Sequence, residues 1–231
     1  MKASSAMTDD ALFGGKSFAA FLFDMDGTIL SSIESAERVW SAWAVRHGLD
    51  VATFLPTMHG RRAIDTVLRQ GLPGIDAEAE AEGILKAEID DVGGVHAIAG
   101  AAEFLASLPP DRWAIVTSAS RALALRRLEA AGLHAPAVFI TAEDIARGKP
   151  EPDCYLLAAT RLGFVAKDCL VFEDAAAGIE AGERAGASVL VIRATQTNKV
   201  MASHVSVTDY AALGIVAEGT GALSLKFRII P

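Results

Sequence analysis

Two aspartates stand where a hydrophobic segment ends near the start of this chain. Asp24 and Asp26 directly follow the apolar residues 18–23, and Gly27 then turns the backbone. An apolar run without alternation predicts a strand that is buried on both faces, as in a parallel sheet. Acids this close together repel each other and shift each other's pKa unless a cation or a proton lies between them. The pair therefore indicates metal binding or acid–base chemistry, although a solvated turn is the simpler alternative.

Other polar residues occupy similar positions further along the chain. Thr117 and Ser118 follow one short apolar run, and Glu173 and Asp174 follow another. Lys149 lies between them, just before a predicted helix. The carboxyl ends of parallel strands meet at one edge of a sheet, so we expect these side chains to converge there. Clustered carboxylates without a surplus of basic residues favour a hard cation, with Mg²⁺ as the first choice. A lysine and hydroxyl donors beside such a cation indicate a dianionic ligand, most simply phosphate.

This set of side chains can support phosphoryl transfer. The carboxylate of Asp24 can attack phosphorus and form an acyl phosphate. Asp26 can give a proton to the leaving oxygen and later take one from water. Taken singly, three positions have simpler interpretations: Thr117 as a strand-end hydroxyl, Lys149 as a surface charge, and Asp174 as the N-cap of the next helix. Their coincidence at successive strand ends favours the catalytic interpretation.

The elements that would position these residues alternate between strands and helices. Beyond residue 96, short apolar runs predict strands, and amphipathic segments that end at glycine or proline predict helices. The predicted strands after the first are 113–116, 138–140, 169–172 and 188–192, and the predicted helices are 101–108, 121–131, 153–162 and 175–185. This alternation predicts an α/β fold with a doubly wound parallel sheet that carries helices on both faces.

A helical insertion separates the first strand from the rest of the sheet. Three segments have helical patterns with no strand-like run between them: residues 31–47, 61–70 and 76–91. We therefore divide the chain into an α/β catalytic core, residues 1–32 and 97–231, and a small helical domain, residues 33–96. The acidic side chains of the third segment, Glu88 among them, are most simply a solvated face.

The two ends of the chain are expected to differ. We expect the first dozen residues to form a loose tail. Residues 223–229 alternate strictly between apolar and polar side chains. This pattern predicts an added edge strand with one face in water.

The composition excludes several classes of protein. Of the 231 residues, 52% are apolar and 22% are charged, which is typical of a globular chain. The 21 basic and 29 acidic residues give a net charge of −8, which argues against nucleic-acid binding. No apolar run reaches the roughly 18 residues of a membrane span, and the N-terminus lacks the apolar stretch of a secretory signal. Cys154 and Cys169 are too few for a disulfide framework, so we expect reduced cysteines in a cytoplasmic protein.

The order of the polar motifs resembles that of a known family. In chain order the motifs are Asp24-x-Asp26-Gly27-Thr28, a strand followed by Thr117-Ser118, Gly148-Lys149-Pro150, and Glu173-Asp174-Ala175-x-x-Gly178. As an ordered set they resemble the four motifs of the haloacid dehalogenase superfamily, and the resemblance covers about residues 18–192. It implies a Rossmann-like core. The insertion at 33–96 resembles the small α-helical cap of the first subclass, and we call it the cap.

The resemblance implies roles for the residues of the core. Asp24 would be the nucleophile and Asp26 the general acid and base. Thr117 and Ser118 would bind the phosphoryl group, and Lys149 would neutralise Asp24 and the phosphate. Members of the superfamily with an aspartate at the position of Asp26 transfer phosphoryl groups, whereas dehalogenases lack this acid. The resemblance therefore favours a phosphatase.

The same resemblance implies a metal site. Asp174 would hold Mg²⁺ together with the side chain of Asp24 and the main-chain carbonyl of Asp26. Glu173 would lie at or near the metal.

A narrower resemblance concerns the cap and its substrate. The segments that carry it are Trp40-x-x-Trp43, Arg46-His47-Gly48 and the turn His59-Gly60-Arg61-Arg62. They resemble sugar-phosphate and glycerol-phosphate phosphatases, and we expect the turn to bind substrate. Adjacent residues on a helix point about 100° apart, so we expect only one of Arg61 and Arg62 to face the site. The chain departs from many relatives at Ser31, where they carry an aspartate at the entry to the cap.

The leading prediction is a Mg²⁺-dependent phosphatase for a small phosphorylated sugar or polyol, without nucleic-acid or membrane partners. The sequence is compatible with a monomer but does not determine the oligomeric state. One alternative is a hexose-phosphate mutase of the same subclass, which would return the phosphoryl group to its substrate. A third interpretation is a non-catalytic protein that binds phosphorylated metabolites. The filled catalytic positions argue against this last one.

Overall fold

The apolar run that precedes Asp24 lies inside a parallel sheet. The structure, a computed structural model, describes residues 11–195, 204–217, 219 and 221–227. Its strands are β1 (Ala20–Phe23), β2 (Leu30–Ser31), β3 (His96–Ala97), β4 (Trp113–Val116), β5 (Val138–Ile140), β6 (Cys169–Glu173), β7 (Ser188–Ile192), β8 (Val205–Val207), β9 (Leu213–Ala217) and β10 (Leu223–Phe227). A six-stranded sheet has the order β5-β4-β1-β6-β7-β8, and every neighbouring pair in it is parallel. This sheet confirms the predicted α/β fold.

Helices cover both faces of this sheet. The helices of the described residues are α1 (Ile33–Arg46), α2 (Val51–Phe54), α3 (Ala63–Arg69), α4 (Ala77–Asp90), α5 (Ala101–Ala106), α6 (Arg121–Ala130), α7 (Asp153–Arg161) and α8 (Ala176–Arg184), with single 3₁₀ turns at Leu12–Gly15, Leu55–Thr57, Ala142–Asp144 and Ala166–Asp168. The last four of these helices cover the sheet. The helices α5 and α6 bury residues against one face, and α7 and α8 bury residues against the other. The sheet is therefore doubly wound, as predicted.

Burial on both faces explains the missing alternation in β1. Phe21 and Phe23 lie in the core on one side of the sheet, where Phe104 of α5 also packs. Ala20 and Leu22 lie in the core on the other side. A strand between two apolar layers gains free energy from every apolar side chain, so its sequence stays apolar throughout.

The cap helices α1 to α4 lie between two short strands. In β2 and β3, Leu30 pairs with Ala97 and Ser31 with His96, and this antiparallel ladder brings the two connections to the cap side by side. The cap has its own apolar cluster, which includes Trp40, Trp43, Phe54, Val67 and Ile84. The division into residues 33–96 and the two flanking segments remains our interpretation.

Helix α4 of the cap packs against helix α6 of the core, and a side chain caps the N-terminus of each. The Asp76 side chain accepts hydrogen bonds from the main-chain N–H groups at the start of α4, at 3.1 and 3.2 Å. Ser120 does the same at the start of α6, where it accepts from the N–H of Leu123 at 3.3 Å. Such caps satisfy donors that have no partner within the helix, and they fix where each helix begins.

The predicted edge strand at 223–229 is wrong in its placement. Strand β10 pairs antiparallel with β9 in a separate two-stranded sheet, and β8 occupies the edge of the main sheet instead. Leu223 and Leu225 are buried, and the main chain of Leu223 bonds to that of Phe18 at 2.7 and 2.8 Å. The alternation arises because one face of this small sheet packs on the core. Residues 228–231 lie outside the described residues.

Two further expectations concern the N-terminus and the acidic helix. Residues 1–10 of the expected tail lie outside the described residues, and Leu12 is buried. The interpretation of the acidic face as solvated is wrong for Glu88, which is buried against α6.

Cys154 and Cys169 are both free and buried. Among the described residues, no helix is both long enough and apolar enough to cross a membrane.

Candidate active site

Asp24 lies directly beyond the end of β1, at the carboxyl edge of the sheet. Its main-chain N–H donates to the carbonyl of Phe172 at 2.9 Å, so the pairing between β1 and β6 continues to this residue. Its side chain is buried, and Oδ1 accepts a hydrogen bond from Nζ of Lys149 at 2.5 Å. The candidate nucleophile is therefore fixed by both its backbone and its carboxylate.

Lys149 links the ends of three strands. Besides Asp24, its ammonium donates to Oε1 of Glu173 at 2.7 Å and to the carbonyl of Val116 at 3.3 Å. These partners follow β1, end β6 and end β4, and the lysine side chain is only 1% exposed. A lysine uses its three donors in this way only when it stays charged.

Glu173 has hydrogen-bond partners on both of its carboxylate oxygens. In addition to Lys149, Oε1 accepts from the hydroxyl of Tyr155 at 2.9 Å. Oε2 accepts from the main-chain N–H groups of Asp174 and Ala175 at 2.9 and 3.1 Å. A Cβ on Gly178 would overlap Oε1 and the carboxyl carbon. The spacing from Glu173 to Gly178 is therefore explained by the room that a buried carboxylate needs beneath the first turn of α8.

The charges in this cluster shift one another's pKa. Burial raises the pKa of Asp24 to about 7, and the negative charge of Glu173 adds to the effect while Lys149 opposes it. Burial raises the pKa of Asp174 well above its usual range, again with contributions from Glu173 and Asp24. Burial alone would lower the pKa of Lys149, but the carboxylates of Asp24 and Glu173 hold it well above its usual range. Three carboxylates thus share one ammonium, which leaves a surplus of negative charge.

This surplus fits a divalent cation. Oxygen atoms of Asp24, Glu173 and Asp174 all lie within 4.8 Å of one another. Carboxylate oxygens are the donors that Mg²⁺ prefers, and a divalent ion would balance the charge that raises the pKa values of the two aspartates. The hydrogen bonds that Glu173 accepts are 2.7 to 3.1 Å long, whereas those that Asp174 accepts from two hydroxyls are 3.3 and 3.4 Å long, so Asp24 and Asp174 are the better candidates for direct ligands.

The carboxylate of Asp174 is held where the chain turns after Asp26. It accepts from the hydroxyls of Thr28 and Thr195 at 3.4 and 3.3 Å. Gly27 lies directly against it with φ of +87°, and a Cβ there would overlap the carboxylate. Only glycine both adopts this conformation freely and leaves that space open.

Asp26 lies apart from the lysine cluster and faces the cap. Its Oδ1 accepts from Oγ of Ser32 at 2.6 Å and from Nη1 of Arg127 at 3.0 Å. The side chain is 27% exposed and lines the same cleft as Asp24. It can therefore reach a group bound in the cleft while staying anchored at its other side.

The two hydroxyls predicted to bind phosphate have different surroundings. Thr117 is buried at the end of β4, where its Oγ1 accepts from the N–H of Ala119 at 3.0 Å and donates to no partner among the described residues. Ser118 instead donates to the main-chain carbonyl of Gly60, in the cap, at 3.0 Å. Thr117 lies at the cleft as a phosphate donor should, whereas Ser118 contacts the cap turn.

The cap turn meets the core closely, and its two arginines differ. A Cβ on Gly60 would come within 2.8 Å of the Ala175 side chain. The guanidinium of Arg62 is held by Asp65 at 2.7 and 2.9 Å and also donates to the carbonyl of Ala146 at 3.2 Å. Arg61 forms no ion pair among the described residues, and burial lowers its pKa. Arg61 is therefore the arginine available to a substrate.

His59 completes the turn on the open side of the cleft. Its ring is 38% exposed, and Nε2 lies 4.0 Å from the Glu37 carboxylate. Burial lowers the pKa of His59, although Glu37 and Asp26 oppose this shift. The ring is thus neutral more readily than a free histidine, and it can donate or accept a hydrogen bond.

These side chains line a cleft of about 390 Å³ between the cap and the core. Its floor includes Asp24, Asp26 and Thr117. Both Arg61 and Arg62 line its rim beside His59, contrary to the expectation that only one of the two arginines would face the site. Further lining residues come from α1, α4 and the core: Trp40, Leu85, Glu82, Glu88, Ser120, Leu123 and Glu143. The mixture of apolar walls and a few polar groups is typical of a small-molecule site.

Sequence reasoning missed Arg127 and Glu88, which both line the cleft and form an ion pair at 2.9 Å. A signal for Arg127 was present, because it shares a helix face with the buried Leu123 and Leu128. Likewise, Glu88 follows the buried Ile84 at a spacing of four residues. A charged residue on an apolar stripe indicates a buried partner.

The fold and the site define a hydrolase with a buried aspartate cluster under a helical cap. The chain belongs to the haloacid dehalogenase-like hydrolases, since the model of that family matches residues 18–186. This match confirms the resemblance drawn from the four motifs and the expectation of an enzyme of the hydrolase class.

Individual proteins with similar sequences or structures show which members of the family this chain resembles. The chain is 45% identical over 179 residues to hexitol phosphatase A from Escherichia coli K12, which covers 75% of this chain and 82% of the relative. It is 34% identical over 203 residues to 2-deoxyglucose-6-phosphate phosphatase 1 from Saccharomyces cerevisiae, covering 78% and 82%. The crystal structure of β-phosphoglucomutase from Clostridium difficile superposes with a TM-score of 0.73 over 84% of this chain and 92% of that one, at 19% identity. This last similarity concerns the fold alone.

Proposed function

We propose that this chain is a Mg²⁺-dependent phosphatase that hydrolyses a small phosphorylated sugar or polyol through an aspartyl-phosphate intermediate. The observation that carries the proposal is the position of Asp24. It lies at the floor of the cleft, held by Lys149 through a 2.5 Å hydrogen bond, with Asp26 lining the same space. A fixed nucleophile beside an acid is the arrangement that stepwise phosphoryl transfer needs.

In the first step, a carboxylate oxygen of Asp24 forms a bond to phosphorus, and the bond from phosphorus to the ester oxygen breaks. Asp26 gives that leaving oxygen its proton. In the second step, water attacks the same phosphorus, and Asp26 takes a proton from the water. The acyl-phosphate bond breaks, so inorganic phosphate leaves and the Asp24 carboxylate is restored.

Other residues of the floor support these steps. The ammonium of Lys149 offsets the charge of Asp24 and of the phosphoryl oxygens, and Thr117 can donate its hydroxyl proton to one of those oxygens. Asp24, Asp174 and the main-chain carbonyl of Asp26 would hold Mg²⁺, with Glu173 in the outer sphere. When bound, the cation supplies positive charge that stabilises the developing negative charge on the phosphoryl group. The hydroxyl of Ser118 already donates to the main-chain carbonyl of Gly60, so phosphate binding by Ser118 stays a prediction.

The substrate class rests on the relatives and on the rim of the cleft. The relative at 45% identity is named for hexitol phosphates, and another is named for a deoxyhexose phosphate. The rim offers Arg61 and His59 to hydroxyl groups, while Trp40 and Leu85 provide apolar surface for the carbon chain. We therefore place hexitol phosphates first and hexose and glycerol phosphates next.

Phosphate release from a substrate panel tests this proposal. The purified protein with Mg²⁺ is assayed against hexitol, hexose and glycerol phosphates, nucleotides and p-nitrophenyl phosphate. We expect a hexitol or hexose phosphate to give the highest kcat/KM. If no phosphate forms but an isomeric hexose phosphate appears after addition of a hexose bisphosphate primer, the mutase is correct instead. Binding without turnover of any kind would support the non-catalytic interpretation.

A further inference from the structure

Arg127 is a buried cation on the apolar face of a core helix. It lies in α6 between Ala124 and Leu128, which are both buried, and only 5% of it is exposed. Removing a guanidinium from water is unfavourable unless partners replace the lost hydration. The identity of those partners therefore indicates what this residue does.

Its two partners belong to different parts of the molecule. Nη1 donates to Oδ1 of Asp26 at 3.0 Å, and Nη2 donates to Oε1 of Glu88 at 2.9 Å. Asp26 lies at the carboxyl edge of the core sheet, after β1. Glu88 lies near the end of the cap helix α4 and is 6% exposed. One planar guanidinium thus connects the candidate acid and base with the body of the cap.

The contact restricts how Asp26 can turn. Oδ1 receives both Arg127 and the hydroxyl of Ser32, at 3.0 and 2.6 Å. Ser32 adjoins the start of α1, so one of these two donors comes from the entry to the cap and the other from the core. A terminal carboxylate rotates easily without such contacts, because its last torsion has a broad energy minimum. Two donors from different directions hold it in one orientation.

We propose that Arg127 is a positioning residue that orients Asp26 for proton transfer, and that Glu88 makes this orientation depend on the closed position of the cap. The proposal rests on the function proposed above. Glu88 fixes the second nitrogen of the guanidinium and so sets its plane. When the cap moves away, Glu88 moves with α4, and Arg127 loses the contact that aligns it with Asp26. Proton transfer is then efficient only when the cap encloses the substrate.

A purely structural ion pair would have a different signature. It would change stability, and it would change turnover of all substrates by the same factor. A residue that orients the general acid matters most where the leaving oxygen needs a proton. An alkyl phosphate such as a hexitol phosphate needs it, whereas p-nitrophenolate leaves without one. Asp26 also serves the second step, which both substrates share, so the two roles are separated by the rate of the first step alone, measured as single-turnover release of the leaving group.

The test compares Arg127→Lys with Arg126→Lys. Lysine keeps the positive charge at residue 127 but cannot hold two carboxylates with a planar fork. Arg126 is the adjacent residue and is exposed, and its one ion pair within the described part of the chain is with Glu129 on the same helix, at 3.0 Å. We expect Arg127→Lys to lower the single-turnover rate of leaving-group release by about tenfold or more for the hexitol phosphate and by less than about threefold for p-nitrophenyl phosphate. Arg126→Lys should leave both values unchanged, and Asp26→Asn should show the same selectivity as Arg127→Lys with larger losses.

Two further measurements guard against a folding defect. Arg127→Ala should regain part of its hexitol phosphate turnover when guanidinium ion is added, whereas Arg126→Ala should not respond. Glu88→Gln should lower the rate of leaving-group release in the same substrate-selective way but by a smaller factor, because its amide oxygen still accepts a hydrogen bond from Arg127. Crystal structures of the wild type and of Arg127→Lys would show whether Asp26 keeps its orientation.

Some outcomes overturn the inference while leaving the proposed function intact. Suppose that the wild type hydrolyses both substrates. Equal losses on both in Arg127→Lys, or no loss on either, would then show that Arg127 forms only a structural ion pair. An unchanged Asp26 orientation in Arg127→Lys would also count against it. If the wild type hydrolyses neither substrate, the proposed function fails, and the crystal structures alone then decide whether Arg127 orients Asp26.

Discussion

The floor of the cleft and its rim are built in different ways. At the floor, Lys149 and Glu173 are almost fully buried, and both carboxylate oxygens of Glu173 have partners. At the rim, His59 is 38% exposed, and Arg61 has no ion pair within the described residues. The floor is anchored on strand ends, whereas the rim lies in a turn between cap helices.

This difference separates chemistry from specificity. A reaction centre that relies on charge and alignment needs groups that are already in place, because reorganisation raises the barrier. Recognition of a variable carbon chain needs side chains that can adjust, and exposed residues in turns provide them. We therefore expect changes at the floor to abolish or greatly slow turnover, and changes at the rim to alter substrate preference.

Replacing the nucleophile is the most severe change at the floor. An amide in Asp24→Asn cannot attack phosphorus, so phosphate release should fall by at least about 10⁴-fold for every substrate. Stopped assays of inorganic phosphate measure the loss, and a thermal melt shows whether the variant is folded. Near-normal turnover in this variant would exclude the aspartyl-phosphate mechanism.

Removing the metal tests the surplus of negative charge at the floor. Turnover should fall by at least about 100-fold in a chelator and return with added Mg²⁺, since a Lewis acid contributes several kcal/mol to stabilising charge at phosphorus. Excess Ca²⁺ should inhibit, because it takes more ligands at longer distances than the roughly 2.1 Å of Mg²⁺. Full activity in chelator would contradict the metal site assigned to Asp24 and Asp174.

Adding one methyl group at Gly178 should disturb the buried carboxylate of Glu173 next to the reaction centre. In Gly178→Ala the new Cβ would overlap Glu173, which cannot move without breaking its bonds to Lys149 and Tyr155. We expect a loss of about 1–3 kcal/mol in stability, typical of overpacking, and a fall of more than about tenfold in kcat.

The matched control is Gly83→Ala in the exposed part of α4. Nothing lies within 4 Å of a Cβ at that position. The substitution should stabilise the helix by about 0.5–1 kcal/mol and leave kcat unchanged. If both alanine variants behave alike in denaturation and in turnover, the explanation of the motif glycine is wrong.

The rim should give the smallest and most selective effect. Arg61→Ala should lower kcat/KM for the preferred sugar or polyol phosphate by about tenfold, equivalent to ~1.4 kcal/mol, and affect p-nitrophenyl phosphate much less. Arg62→Ala is the comparison, because Asp65 and the Ala146 carbonyl already hold that guanidinium. It should change thermal stability more than substrate preference. The reverse result would assign the substrate contact to Arg62.

Much of the core could be predicted because each strand has a local signal. The strands at Trp113–Val116, Val138–Ile140 and Ser188–Ile192 have the bounds that the apolar runs predicted. Helix ends differed by one or two residues, since the last turn of a helix depends on contacts outside it. The polar residues at strand ends converge because parallel strands share an edge, and this rule needs no knowledge of distances.

The misses have a common physical cause. The position of β10, the partner of Glu88 and the role of Arg127 all depend on contacts between distant parts of the chain. Leu223 bonds to Phe18, and Glu88 meets Arg127 across the gap between cap and core. Periodicity can indicate that a charged residue is buried, but it cannot identify the partner. The same limit applies to Arg61 and Arg62, whose adjacent positions gave no reason to choose between them.

The register between β1 and β6 determines where this chain can gain or lose residues during evolution. Phe23 pairs with Phe172, and the next main-chain bond places Asp24 beside the end of β6. Side chains alternate between faces along a strand, so one inserted residue within β1 would exchange the faces of the residues upstream of it. It would force a shift of either the aromatic core or the nucleophile. Insertions in the cap turns meet no such constraint, so we expect relatives of this chain to differ in length there, and to accept different substrates, while the strands before Asp24 and Glu173 keep their length.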